Sequence, residues 1–189
     1  MVKPSKPVRI AVSGAHGVGK TTFCGDLAEA FKSDDQERHS VEVVTNVGRD
    51  LHAMGIPINK GTEESQYPLF LEKHIANIFK DWQSDFVIYD RTIVDTLAYG
   101  IANGNLDHRW ISFLRKTAPH LLEIIDVYFY IPIEFEIEDD GVRATEGEYQ
   151  ADVDKALVDI LKECRPDAVT LSGGRAERVE QAMEKVIQK

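Results

Sequence analysis

Cysteine is scarce in this chain: Cys24 and Cys164 are its only thiols in 189 residues, and they lie far apart in helical patterns. A disulfide framework or a cysteine-held metal site is therefore not expected, and two reduced thiols suit a cytoplasmic protein. Long apolar runs are also missing. None approaches the roughly 18 residues that a membrane span needs, so no membrane partner is expected. The opening MVKPSKP reads as too short and too polar for a signal peptide. There is no internal repeat and no long low-complexity run. Cations are outnumbered, 22 Lys and Arg against 32 Asp and Glu, for a formal net charge of −10. Such a surface repels a polyanion on average. Extended nucleic-acid binding is disfavoured, although a net count leaves room for a local basic cleft.

What the chain does have is alternation. Its length fits one domain over 1–189, at roughly 100–200 residues per domain. VRIAVS (8–13), SVEVVT (40–45), DFVIYD (85–90), DVYFYIP (126–132) and AVTLSGG (168–174) read as strands, the last with its turn. Between them lie helical patterns at 20–32, 46–55, from Thr62 to about Trp82, 92–104, 107–117 stopped near Pro119, and 149–164, with a last helix after Gly174. Strands that alternate with helices predict an α/β fold of three layers. Its five-stranded parallel sheet would carry helices on both faces, with the first strand central and ligands at the carboxyl ends of the strands.

Immediately after the first strand comes GAHGVGKT (14–21), a full match to G-x-x-x-x-G-K-[ST]. Glycines let the loop turn so that successive backbone N–H groups point inward, and the following helix aims its positive end at the same point. Gly14, Ala15, His16, Gly17, Val18, Gly19, Lys20, Thr21 and Thr22 are thus the predicted nucleotide-phosphate cradle, with ATP the expected nucleotide. Lys20 would reach the outer phosphates and Thr21 would offer a hydroxyl to Mg2+. His16 fills a free position of the motif and reads as a loop residue, not a catalyst. A guanine-specific switch fits poorly: NKGT (59–62) ends in Thr62 where the guanine clamp of GTPases has aspartate, and no Asp-x-x-Gly occurs. An ATPase motor usually needs a larger chain and a partner subunit's arginine.

VIYDRTIVDTLAYG (87–100) resembles the Asp-Arg-Tyr region of thymidylate kinases and the helix that follows it, with Thr92 where that motif has tyrosine. At the end of a buried strand beside the loop, Asp90 can hold Mg2+ through water. Arg91 would point its planar fork at the acceptor or its phosphate. EDDGVRATEGEYQADVDKAL (138–157) is similar to the lid region of small P-loop nucleoside and nucleotide kinases, and to the DDG-x-R stretch of predicted-kinase ATPases akin to the ribosylnicotinamide kinase domain. The resemblance implies a small lid at about 134–148 that brings Arg143 to the transferring phosphoryl group.

Deoxynucleoside kinases resemble one another in a glutamate after the second strand that acts as general base. Here Asn46 stands in that stretch, VTNVGRD. A hydroxyl acceptor benefits from a base, for which Asp50 and Asp95 are candidates. A phosphate acceptor mainly needs cations and positioning, which suits Arg49. Gln66 could hydrogen-bond a base edge, as a glutamine does on the equivalent helix of deoxynucleoside kinases, and Tyr67, Phe70 and His74 could line the same pocket. The expected catalytic set is Lys20, Asp90, Arg91 and Arg143; Arg49, Gln66, Arg91 and Asp95 are the expected acceptor contacts, and Thr21 and Asp90 the Mg2+ ligands. The expected activity is ATP- and Mg2+-dependent phosphotransfer to a small nucleotide or nucleoside, a (deoxy)nucleoside monophosphate first. A kinase acting on a modified nucleotide or an end in DNA or RNA and a regulatory NTPase without a small acceptor are the alternatives. Oligomeric state is left open.

Overall fold

The computed structural model describes residues 4–33, 38–134 and 144–187, with backbone alone at Lys60 and at 144–146. Its strands are β1 (Val8–Ser13), β2 (Val41–Val44), β3 (Phe86–Asp90), β4 (Val127–Tyr130) and β5 (Val169–Thr170). Its helices are α1 (Lys20–Lys32), α2 (Val47–Ala53), α3 (Tyr67–Ile78), α4 (Ile93–Asn103), α5 (His108–Leu122), α6 (Ala144–Cys164) and α7 (Arg175–Ile187), with short 3₁₀ turns at Asn59–Gly61 and Glu64–Gln66. The strands form one sheet in the order β2-β3-β1-β4-β5, and every pairing is parallel. The expected α/β architecture is therefore found, with β1 at its centre. Among the described residues no helix is long and apolar enough to cross a membrane.

Side-chain alternation along β1 shows how the layers form. Ile10 and Val12 face one way, into a cluster with Phe23, Leu27 and Phe31 of α1 and Ala182 and Val186 of α7. Ala11 faces the other way, into a cluster with Leu97 of α4, Leu114 of α5 and Leu157 of α6. Both faces of a parallel sheet must be covered, which is why its strands read as apolar runs. Each fully buried side chain of this size contributes about 1.5–3 kcal/mol. Phe31 and Phe86 stack face to face, 4.0 Å between ring centroids, and tie α1 to β3.

Several boundaries differ from the sequence reading, each for a local reason. The helix expected from Thr62 starts at Tyr67, because Glu63 and Gln66 close a capping box around a 3₁₀ turn; it ends at Ile78. α5 runs through Pro119, which was expected to stop it. Proline removes one donor, but buried Ala118, Leu121 and Leu122 hold the last turn on the core. α6 begins five residues before the predicted start, and β5 shrinks to two residues. Of the expected lid, 135–143 lies outside the described residues.

Candidate active site

β1 delivers the glycine-rich loop to the carboxyl edge of the sheet. A Cβ at Gly14 would collide with the carbonyl oxygen of Ile131, just past β4, so the loop leaves the strand where a side chain has no room. Gly17 (φ 81°) and Gly19 (φ 87°) hold left-handed backbone conformations that other residues adopt only under strain. Gly19 caps α1 without a side chain, and no acidic residue sits in the first turn. The free N–H groups and positive end of α1 are left open toward the loop. The loop is braced from outside: Arg178 on α7 donates to the Val18 carbonyl (3.1 Å) and to Glu134 (2.9 Å), and Glu134 accepts from the Gly173 N–H (2.9 Å).

Lys20 opens α1 and folds back to donate its ammonium to the Ala15 carbonyl oxygen. Burial pushes its pKa down to about 7; Arg91 adds to the fall, while Asp95 and Asp90 oppose it. Beside it, Thr21 Oγ1 donates to Asp90 Oδ2 across 2.6 Å. The other oxygen, Asp90 Oδ1, is buried and has no hydrogen-bond partner. No group of three or more candidate metal ligands occurs among the described residues. Mg2+ does not require one, since it keeps several waters and is held by one or two protein oxygens plus phosphates. The Thr21 hydroxyl and the unpartnered Asp90 oxygen fit that donor set.

From the loop a cavity of about 410 Å³ runs toward α2, α3 and α4. Lys20, Thr21 and Thr22 line it from the loop and α1, and Tyr67, Phe70 and His74 from α3. Arg49 enters from α2 and Arg91 from the end of β3. Arg91 takes φ 81°, an uncommon conformation for a side-chain-bearing residue, fixed by its N–H bond to the Val12 carbonyl (2.9 Å). Its guanidinium lies over the Tyr99 ring (4.9 Å) and 3.8 Å from Asp95 Oδ1. Tyr99 in turn meets the loop, with its hydroxyl 3.3 Å from His16 Nδ1. Buried His74 pairs through Nε2 with Thr96 Oγ1 (2.9 Å), and burial pushes its pKa down to about 3, so it is neutral at physiological pH.

The structure brings together most of the residues singled out from the sequence and separates a few. Lys20, Thr21, Thr22, Arg49, Arg91 and Asp95 share the cavity. Among the described residues lining it, Asp95 is the one carboxylate, and it is already engaged by Ser13 Oγ (2.5 Å) and the Thr92 N–H (2.9 Å). Gln66 does not line the cavity: its Oε1 accepts the Glu63 N–H (3.0 Å) as half of the capping box. Asp50 does not line it either. Asn46 does, but its Oδ1 accepts the Gly48 N–H (2.8 Å) and caps α2, so the expected base position is a helix cap. Arg143 lies outside the described residues. Ile58, Asn59 and Thr62 also line the cavity, from a loop whose reach across to it has no local signature. Tyr99 and Thr96 did have one: with Asp95 they recur at helical spacing on one face of α4.

A family model described as an AAA domain matches residues 9–178, and the chain belongs to that family. A search among curated proteins finds no match. Among solved structures, the crystal structure of NadR protein in complex with NAD and AMP-PNP is similar, with a TM-score of 0.66 and 18% identity over 97% of this chain. It matches over 49% of the NadR chain, so this chain spans about half the length of that protein. Deoxyadenosine kinase from M. mycoides, solved with dCMP and dCDP, has a TM-score of 0.60 and 14% identity, covering 95% of this chain and 99% of that one. Thymidylate kinase from Ehrlichia chaffeensis has a TM-score of 0.62 and 20% identity, covering 96% and 99%. The fold is that of the P-loop kinases.

Proposed function

We propose that the protein is an ATP- and Mg2+-dependent phosphotransferase acting on a small nucleotide or nucleoside, with a (deoxy)nucleoside monophosphate as the preferred acceptor. One observation carries the reading: Arg49 and Arg91 face a single cavity that begins at the phosphate loop and Lys20. Two arginines suit an acceptor that brings its own phosphate. A phosphate oxygen is already a nucleophile, so the engagement of Asp95 and the capping role of Asn46 leave nothing missing. Among the proteins of similar fold, NadR was solved with NAD and AMP-PNP and deoxyadenosine kinase with dCMP and dCDP, which supports a small nucleotide or nucleoside acceptor.

In this reading the loop N–H groups and Lys20 grip the donor triphosphate, and Arg91 and Arg49 hold the acceptor phosphate in line with it. Thr21 and Asp90 would hold Mg2+, which would supply charge neutralisation for the donor phosphates. The bond between the terminal phosphorus and its bridging oxygen breaks, a new P–O bond forms to the acceptor phosphate, and ADP and a nucleoside diphosphate leave. Tyr67 and Phe70 line the same cavity from α3, where an acceptor base would lie. Arg143, on the resemblance to kinase lids, would join the transferring phosphoryl group.

The test is ADP release with Mg2+ and ATP against a panel of nucleosides, their monophosphates and a DNA oligonucleotide. Stimulation by a monophosphate is expected. Stimulation by the oligonucleotide alone, weakening steeply with salt, would move the acceptor to nucleic acid. ATP binding with no stimulation by anything would overturn the kinase reading in favour of a regulatory nucleotide-binding module.

A further inference from the structure

Behind the cavity wall, four buried side chains, from β1, β4, the cap of α4 and α4 itself, form a hydrogen-bonded row with a defined direction. Ser13, at the end of β1, donates its one hydroxyl proton to Asp95 Oδ2 across 2.5 Å. The Tyr128 hydroxyl, from β4, stands 2.6 Å from the same Ser13 oxygen. With the Ser13 proton committed to the carboxylate, the phenol must be the donor in that contact. Thr92 Oγ1, just after β3, lies 2.7 Å from the phenolic oxygen. The phenolic proton being committed in turn, Thr92 donates to Tyr128, while Thr92 Oγ1 accepts the Val94 N–H (3.1 Å). Protons therefore run Thr92 to Tyr128 to Ser13 to Asp95, and each bond polarises the next.

The row ends on the carboxylate that faces Arg91. Asp95 is almost completely buried, as are Ser13, Thr92 and Tyr128. Its Oδ2 takes the Ser13 hydroxyl and the Thr92 N–H, which fixes the rotamer and leaves Oδ1 toward the Gly14 N–H (3.5 Å) and the Arg91 guanidinium (3.8 Å). One carboxylate thus joins the first residue of the phosphate loop to the arginine of the acceptor side. Tyr128 itself does not line the cavity. Burial, with the Asp95 charge adding to it, pushes the Tyr128 phenol well above its usual range, so it stays a neutral donor.

We propose that Tyr128 is a positioning residue of the acceptor site: its hydroxyl fixes Ser13, and through Ser13 the Asp95 carboxylate that aims Arg91. The role of Arg91 toward an acceptor is the one proposed above, and the inference rests on that reading. A tyrosine that only filled the core would be replaceable by phenylalanine, since the ring packs in the α4–α6 cluster and under the Arg165 guanidinium (5.4 Å) whether or not the hydroxyl is present. The hydroxyl is the part that reaches the site.

The experiment is Tyr128→Phe, with Ser13→Ala as the second variant should the first not fold. Two things are read: the KM values for acceptor and for ATP, and the order of the Arg91 side chain from ¹⁵Nε relaxation, assigned with Arg91→Lys. The expected result is an acceptor KM raised roughly tenfold, the scale of removing one buried hydrogen bond from a network. The KM for ATP should change far less, the melting temperature should fall by only about a few degrees, the scale of one lost buried hydrogen bond, and the Arg91 Nε–H should lose order. Equal rises in both KM values that follow a fall in melting temperature would overturn the proposal, as would unchanged kinetics. If the wild type transfers phosphate to no acceptor, the kinase reading has failed and the relaxation data decide alone: a mobile Arg91 in the variant supports the relay, and an equally ordered one overturns it.

Discussion

Thr21 Oγ1 donates to Asp90 Oδ2 across 2.6 Å, tying the first turn of α1 to the end of β3. The pair is made possible by strand order: β3 lies directly beside β1, with Val12 in register with Asp90. Residues 69 positions apart in the chain therefore meet where the phosphate loop ends. The other oxygen of that carboxylate, Asp90 Oδ1, is buried without a hydrogen-bond partner, which suits the Mg2+ site proposed above.

Asp90→Asn keeps the shape of this pair and removes its charge. Calorimetric titration should show affinity for Mg2+-ATP falling about tenfold or more, with affinity for ATP in EDTA falling little. An equal loss in both titrations would mean that Asp90 supports the loop and does not hold Mg2+.

Lys20 makes a prediction in pH. Its folded pKa, about 7, lies below the ordinary lysine value of 10.5, so the unfolded chain binds the proton more tightly. The folded state is penalised fully below pH about 7, and the penalty is relieved as pH rises from there toward 10.5. A bound triphosphate restores the charged form. ATP binding at pH 8 should therefore take up protons, seen as a binding enthalpy that depends on the buffer's ionisation heat. Proton release, or no dependence, would contradict the burial of Lys20.

The same burial predicts a trade of activity against stability. Lys20→Met should abolish phosphoryl transfer yet raise the melting temperature of the nucleotide-free protein, by about 2–4 °C per kcal/mol recovered at this chain size. A thermal melt of the variant without ligand checks it, and a lower melting temperature would contradict it.

The strand, glycine-rich loop and helix of residues 8–32 could be read from the sequence because they are local. The glycines, Lys20 and Thr21 all fall within residues 14–21, and their geometry depends on the backbone of one strand-loop-helix unit. The acceptor side depends on interactions across long stretches of chain. Nothing near Tyr128 in sequence announces Ser13, and Gln66 looked like a base contact because its partner in the capping box, Glu63, competes for it only once the 3₁₀ turn has formed. The helix through Pro119 was hidden for a similar reason, since burial outweighed a local breaker.

Gly100 tests the shape of the acceptor end. A Cβ there would come within 2.7 Å of Leu106 and 3.0 Å of the Tyr67 ring, so the glycine lets α4 and α3 approach. Gly100→Ala should cost about 1–3 kcal/mol of stability by overpacking and push Tyr67 toward the cavity. Acceptor KM should rise while ATP affinity is kept. Unchanged acceptor kinetics would place the acceptor away from Tyr67.

Arg49 separates the two kinds of acceptor. Arg49→Gln should raise the KM for a monophosphate acceptor by roughly tenfold, the scale of one charge-assisted hydrogen bond to a phosphate oxygen. It should leave any weak turnover of the matching nucleoside unchanged. Equal effects on both would mean that Arg49 does not meet the acceptor phosphate.

The most direct measurement follows the phosphorus atom itself. The wild-type protein is incubated with Mg2+, ATP labelled in its terminal phosphate and the monophosphate that best stimulates ADP release, and the products are separated. Label in the β-position of the nucleoside diphosphate, absent with Lys20→Met, is the predicted result. Label recovered only as inorganic phosphate would contradict transfer to an acceptor held by Arg49 and Arg91.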